Sequence, residues 1–409
     1  MIPAAQATGK KPATIDAVAS ELERLETIGE VMPSSYTVQK TSHDVIELNM
    51  GPQHPSTHGV LRLSVKLRGE YVEEVHPVLG YLHRSKEKIA ELGQYIKFLP
   101  ITDRMDYIAG MSNNHGYVLA VEKLANIEIP ERAEYIRVIA VELNRVASHL
   151  LWLGAFGLDL GAITPFFYCF RDREKVIELL EMLSGARLTY SFMRFGGVRF
   201  DLPENFTDRV LAAVDDLEQR VKEIDTLLTD NDIVKARLKG IGVLPLDRAI
   251  SYGVTGPAIR AAGMAYDLRK DDPYSIYPKL NFDIPTWNVN DCYGRYRVRM
   301  AEFRESFRIL RQACKQVPEG PWIAEGFEAG KILRVKPPAG EAYARVEAPR
   351  GELGYYIVSD GGLNPYRLHV RPHSFHNLQP LNEMCQGLKI PDLIVTLGSI
   401  DIVLGDIDR

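Results

Sequence analysis

The sequence predicts an α+β chain: a central bundle of long helices, an N-terminal antiparallel β-domain and a small C-terminal α/β part. Three observations predict it. Extended runs punctuated by glycine and proline lie before residue 82. Four long amphipathic segments follow one another between residues 103 and 230, joined by short loops as in a bundle. Beyond residue 350, short strand-like and helix-like runs alternate. The divisions this suggests are 1–40, an N-terminal extension; 41–82, the β-domain; 83–317, the helical core; and 318–409, a C-terminal extension.

Residues 1–40 begin as a low-complexity tail, with a short amphipathic helix expected over Ile15–Ile28. Asp44–Asn49, Val60–Arg68 and Tyr71–Val78 read as an antiparallel meander, the last two joined by the turn Arg68-Gly69-Glu70. Between the first two strands, NMGPQHPSTHGVL (Asn49–Leu61) packs Gly51, Pro52, Pro55 and Gly59 around His54 and His58. So many breakers forbid helix or strand, so this is a tight loop at a hairpin tip.

Helical character then takes over. His83–Gly93 is a charged helix; Asp103–Asn126 is longer, with Asp103 as its N-cap. Pro130–Leu153 has its proline near the first turn, where a missing N–H costs nothing. Its apolar stripe, Ile136, Ala140, Leu143, Ala147 and Leu150, steps by four and three. Thr164-Pro165 starts a helix that runs to Gly185, and Asn205–Asp230 is another. Arg237–Ala262 is glycine-rich but carries neither dinucleotide nor P-loop spacing, and reads as a structural connector. Asp267–Asn290 is irregular, Asp291–Val317 helical and Pro318–Pro349 loop-like. Gly354–Ser359 and Tyr366–Val370 read as strands, and Phe375–Cys385 as a short helix.

Composition narrows the function classes. The chain is 45% hydrophobic and 25% charged, a soluble globular mix, and its net charge of −5 gives no reason to expect nucleic acid. Cys169, Cys292, Cys314 and Cys385 are scattered with no C-x-x-C, which suits reduced thiols better than a disulfide framework or a metal site. No signal peptide is expected. The most apolar stretch, Leu150–Phe170, contains Asp159, Pro165 and three glycines and does not read as a membrane span.

Three side chains invite chemistry. Imidazole changes charge near neutrality, so His58 is a candidate proton carrier; the plainer alternative is a turn whose histidines cap backbone groups. Asp159 is the only charge between Leu150 and Phe170. A carboxylate in apolar surroundings must pair, accept hydrogen bonds or be protonated. It sits at a helix end before Gly161, where an anion is disfavoured, so a cationic or N–H partner is expected, His58 among them. The alternative is a cap. Tyr107, in ITDRMDYIAGM, has a hydroxyl able to give or take a hydrogen bond, although most of the 19 tyrosines must serve packing. Arg84 and Arg104 follow helix starts and are by default solvated or ion-paired.

Several of these segments resemble the 49-kDa subunit family of respiratory complex I, also known as the D-type subunits of NADH-quinone oxidoreductases. The carriers are GPQHPSTHGVLR (51–62), GYLHR with EK (80–88), TDRMDY (102–107) and NNHGYVLAVEKL (113–124). Others are LDLGAITPFFY (158–168), APRGELGYYIVSDGG (348–362) and the terminal GDIDR (405–409). That family is similar to the large subunit of [NiFe] hydrogenases, which implies a hydrogenase-like fold. At the hydrogenase metal-binding cysteine positions this chain has Asp106, Ala109, Val403 and Asp406. Soft metals need thiolates, so the resemblance implies a metal cavity emptied and reused, with no metal and no cofactor bound by this chain.

The resemblance implies a quinone headgroup pocket to which the C-terminal extension returns. In it, His58 and Tyr107 hydrogen-bond the two carbonyls and Asp159 pairs with His58. Electrons come from a [4Fe–4S] cluster in a small partner subunit of the B type, with Arg84 and Arg104 towards that cluster. Further implied partners are a 30-kDa-type subunit, a ferredoxin-like subunit and a membrane subunit of the H type. The implied location is peripheral, on the cytoplasmic face of a bacterial inner membrane. One departure is visible: many relatives carry a histidine, associated with proton-coupled cluster reduction, where this chain has Thr189. Its absence points towards a low-potential quinone such as menaquinone. Relatives fed by ferredoxin or reduced deazaflavin, and a hydrogenase-type metalloenzyme, are the alternatives.

Overall fold

The computed structural model describes residues 36–40, 44–54, 57, 59–327 and 335–409. His58 and the helix expected over Ile15–Ile28 lie outside the described residues.

The first sheet is antiparallel in the order β1 (Tyr36–Lys40), β2 (Val45–Met50), β3 (Arg62–Arg68) and β4 (Tyr71–Val78). The three strands expected are present, and β1 adds a fourth drawn from the segment assigned to the N-terminal extension. In β3 the alternating Leu63, Val65 and Leu67 are buried, the period-two pattern of a one-sided sheet. Lys66 pairs Glu74 while Leu67 pairs Val72, so Glu73 is an extra residue. That bulge lets Val72 and Val75 both face inward.

Fifteen helices of four residues or more follow among the described residues. The first three are α1 (Lys86–Leu92), α2 (Tyr95–Thr102) and α3 (Gly110–Ala125). The expected single helix from Asp103 is therefore corrected. Asp103 ends α2, and residues 103–109 are irregular. The Asp106 carboxylate accepts the N–H groups of Ile108 and Ala109, each at 3.1 Å. A side chain that binds its own backbone competes with the helix.

The long helices are α4 (Glu131–Asp159) and α5 (Ile163–Ser184), which are the most extensively packed pair, and α6 (Phe206–Leu228). The stripe foreseen on α4 is buried. The helix runs six residues beyond Leu153, and its charged residues Arg137, Glu142, Arg145 and His149 are buried too. The cap expected at Thr164 is absent: α5 starts after Ala162 with no side-chain cap. A two-stranded ribbon, β5 (Met193–Arg194) and β6 (Gly197–Val198), separates α5 from α6.

Short pieces lie in and around the connector: α7 (Asp232–Leu238) leads into it, α8 (Leu246–Ser251) and α9 (Pro257–Ala261) fall within it, and α10 (Leu268–Asp271) breaks the stretch expected to be irregular. Helix α11 (Cys292–Gln316) begins at Asp291, whose carboxylate accepts the Gly294 N–H at 2.7 Å. The stretch expected to be loop up to Pro349 contains β7 (Gly340–Ala348), which pairs with β8 (Gly351–Ser359) and through it with β9 (Arg367–Arg371). Its charged residues hid the strand. Ala342, Val346 and Ala348 face inward, and Glu347 is buried because Arg260 pairs with it at 2.8 Å. The helix expected over Phe375–Cys385 is two, α12 (His373–Leu378) and α13 (Leu381–Cys385), broken at Pro380. The chain closes with α14 (Ile390–Ile400) and α15 (Leu404–Asp408).

Two apolar cores result. One joins the long helices to the C-terminal sheet. The other seats the N-terminal sheet (Leu63, Val65) against C-terminal helices (Leu393, Leu397, Leu404). None of the helices among the described residues is long and apolar enough to cross a membrane.

Candidate functional site at the seam between the two cores

The histidine loop is the tip of the β2–β3 hairpin, as expected. Gly51 adopts φ +85°, and a Cβ there would come within 2.0 Å of the Leu61 carbonyl oxygen, so the return of the chain requires glycine. Thr57 donates through Oγ1 to the His54 carbonyl at 2.8 Å, and His54 pairs with Gly59 across the loop.

A cavity of about 510 Å³ opens where the two cores meet. Tyr107 and Ile108 come to it from the irregular turn after α2, Trp152, Leu158 and Asp159 from the end of α4. Arg350 comes from the turn between β7 and β8, and Asp401, Ile402 and Val403 from the segment after α14. The structure therefore brings two of the three sequence candidates, Tyr107 and Asp159, into one cavity. The hairpin tip approaches Tyr107: a Cβ on Gly59 would lie 4.0 Å from the Tyr107 hydroxyl and 3.2 Å from Leu404. Gly405 packs against the Tyr107 turn, since a Cβ there would meet the Met105 carbonyl at 2.5 Å and the Tyr107 ring at 3.1 Å.

At and behind this wall lies a buried set of charges, of which sequence reading named only Asp106 and Asp406, at former metal positions. Arg350 is 1% exposed and pairs with Asp106 at 2.8 Å and Asp401 at 3.2 Å. Asp401 also faces Arg299 at 4.0 Å, and Arg299 lies over the Trp152 ring at 4.4 Å. His373, fully buried, stands between Asp406 (Nδ1, 2.8 Å) and Asp106 (Nε2, 3.5 Å). Burial pushes the Asp106 carboxyl above its ordinary value, against the pull of Arg350 and His373. Burial also opposes ionisation of Asp406, but the His373 charge and hydrogen bonds from His373 and Ser374 outweigh it and hold that carboxyl low. Burial raises the Tyr107 hydroxyl above the usual phenol value, and the Asp106 charge adds to it. The sequence carried two signals for this set: Arg350 lies inside APRGELGYYIVSDGG, and Asp401 and Asp406 lie in the terminal SIDIVLGDIDR.

Arg84 and Arg104 do not reach the cavity. Both are exposed, at the end of the molecule where the chain terminates. The Arg84 N–H binds the Arg409 carbonyl at 3.2 Å, and Lys86 donates to the carbonyls of Arg104 (2.8 Å) and Gly405 (3.3 Å). Thr189 sits at φ +53°, two residues before Ser191, whose N–H binds the Asp103 carboxylate at 2.9 Å. Burial pushes the Asp103 carboxyl up to about 7.

Asp106, Ala109, Val403 and Asp406 offer no thiol, and the Asp106 carboxylate is occupied by Arg350 and two N–H groups. A soft-metal centre does not fit these residues. The four cysteines are buried elsewhere in the fold.

Known proteins share this chain's sequence over most of its length. The family described as "Respiratory-chain NADH dehydrogenase, 49 Kd subunit" matches residues 159–333 and 330–409. The D subunit of the NADH-quinone oxidoreductase of Desulforamulus reducens is 53% identical over 362 residues, covering 88% of this chain and 97% of the relative. Its counterpart in Dehalococcoides mccartyi is 53% identical over 363 residues, covering 88% and 98%. That of Geobacillus kaustophilus is 51% identical over 363 residues, covering 88% and 97%. The chain belongs to the 49-kDa, D-type subunit family of NADH-quinone oxidoreductase, the oxidoreductase complex of the respiratory chain.

Proposed function

We propose that the cavity receives a quinone headgroup and that His58 and Tyr107 hydrogen-bond its two carbonyl oxygens, with Asp159 orienting His58. The observation that carries this reading is the meeting of Tyr107 and Asp159 in one cavity, with the Gly59 backbone close to the Tyr107 hydroxyl. About 510 Å³ is within the range of small-molecule sites. Reduction to a quinol takes two electrons and two protons. Donors at both carbonyl oxygens stabilise charge as it develops there, and an imidazole and a phenol can each deliver a proton. Arg350, whose Nε has no partner among the described residues, brings a cation to the same wall.

The chain supplies the pocket and binds no electron carrier of its own. Electrons arrive from the [4Fe–4S] cluster of the small B-type partner, seated against the end that carries Arg84 and Arg104. The 30-kDa-type, ferredoxin-like and H-type membrane subunits complete the surroundings at the cytoplasmic face of the membrane. Reduction in the pocket is coupled to proton movement in the membrane subunits. The absence of thiols at Asp106, Ala109, Val403 and Asp406 fits a hydrogenase-like scaffold put to this use.

Tyr107→Phe and His58→Ala, each in the assembled complex, test the reading. Quinone reductase turnover is expected to fall by roughly a hundredfold, with the complex still assembled. Undiminished turnover in both would leave the chain a structural role only.

A further inference from the structure

The charges behind the cavity wall are not passive filling. His373 Nδ1 lies 2.8 Å from Asp406 Oδ2 and 3.1 Å from the Ser374 hydroxyl; against a carboxylate that can only accept, that nitrogen carries a proton. The other ring nitrogen is Nε2. It is buried, has no hydrogen-bond partner among the described residues, and faces Asp106 Oδ2 at 3.5 Å. The same Oδ2 holds Arg350 Nη1 at 2.8 Å, and Arg350 lines the cavity.

We propose that His373 is a positioning residue of the quinone site: by passing its Nε2 proton to Asp106 it loosens that carboxylate's hold on Arg350 and lets the guanidinium turn to negative charge forming on the headgroup. The inference rests on the quinone-site reading. In the step an N–H bond breaks at Nε2 and an O–H bond forms at Asp106 Oδ2. No electron moves, and the net charge of the pair is unchanged. When the headgroup leaves as quinol, the proton returns and Arg350 is held again.

The surroundings favour this direction. Burial makes Asp106 the carboxyl more ready to accept a proton, while Asp406 stays ionised and keeps the ring oriented. The charged and titratable groups that face the pair are Arg350, Asp401 and Tyr107 on the cavity side and Tyr355 on β8. Lys86 on α1, and His376 one turn along α12, face Asp406.

The test is quinone reductase turnover against pH in the assembled complex carrying His373→Gln. Expected are a fall in turnover of roughly tenfold at neutral pH, little change in the KM for quinone, and loss of one ionisation from the wild-type profile. Asp406→Asn, which frees the ring, is expected to flatten the profile in the same way. A wild-type profile in either variant overturns the proposal. Should neither assemble, the wild-type complex with carbonyl-labelled aspartate decides by reduction-induced infrared difference. A protonated-carboxyl band that shifts with the label supports the proposal, and its absence overturns it. Tyr107→Phe runs alongside: if it is impaired and His373→Gln is not, only the role of His373 fails. If neither is impaired, the quinone site fails with it.

Discussion

At Asp106 one carboxylate serves two ends. Oδ1 caps the N–H groups of Ile108 and Ala109 and so shapes the turn that presents Tyr107; Oδ2 anchors Arg350. Removing a partner from a buried ion pair leaves an uncompensated charge. Arg350→Met would strand Asp106 and Asp401, and is expected to cost about 3–5 kcal/mol, read as a lower thermal midpoint of the subunit in its complex. An unchanged midpoint would show the cluster to be energetically idle. Asp103 gives a pH-dependent prediction. Its carboxyl is raised by burial to about 7, so the folded chain holds a proton that the unfolded chain has lost. That contribution to stability is full below about 4 and disappears as pH rises through about 7. Asp103→Asn removes the ionisation, so the variant is expected to exceed the wild type in stability above pH ~7, with the difference shrinking towards pH ~4. A parallel pH dependence in both proteins would contradict it.

Among elements, the cavity depends on backbone surfaces that only glycine allows. Gly405→Ala would drive a Cβ to 2.5 Å from the Met105 carbonyl, pushing the C-terminal segment off the Tyr107 turn. A severalfold rise in the KM for quinone is expected, with assembly retained; an unchanged KM would show that this contact does not shape the pocket. The sequence announced the elements with strong local signals: the β2–β4 meander by its extended runs and turn, α4 by its stripe. It misled where side chains overrule periodicity. Asp106 holds the turn before α3 out of the helix, and β7 disguises its buried face because Glu347 turns inward to Arg260. Of the site, Tyr107 and Asp159 were legible as a phenol near the start of an expected helix and a lone carboxylate in an apolar run. Arg350, His373 and Asp401 were not, because their importance comes from partners far away in sequence: Asp106 lies 244 positions from Arg350.

Across the whole molecule, buried charge continues from the cavity into the helical core. Glu302 joins Arg260 at 2.7 Å and His149 at 2.9 Å, and Arg269 joins Glu142 at 3.2 Å and Asp267 at 2.7 Å. Such groups are costly unless paired, and the pairs tie α4 and α11 to the connector and to the segments that reach the pocket. The site is thus a junction of distant segments rather than one motif, and it needs the complete fold to exist. A structure of the assembled complex with quinone bound bears hardest on the quinone-site reading. The headgroup is expected between His58 and Tyr107, with a carbonyl oxygen within about 3.2 Å of the Tyr107 hydroxyl and Asp159 on the His58 side. A headgroup bound outside this cavity, or one touching neither side chain, would contradict it.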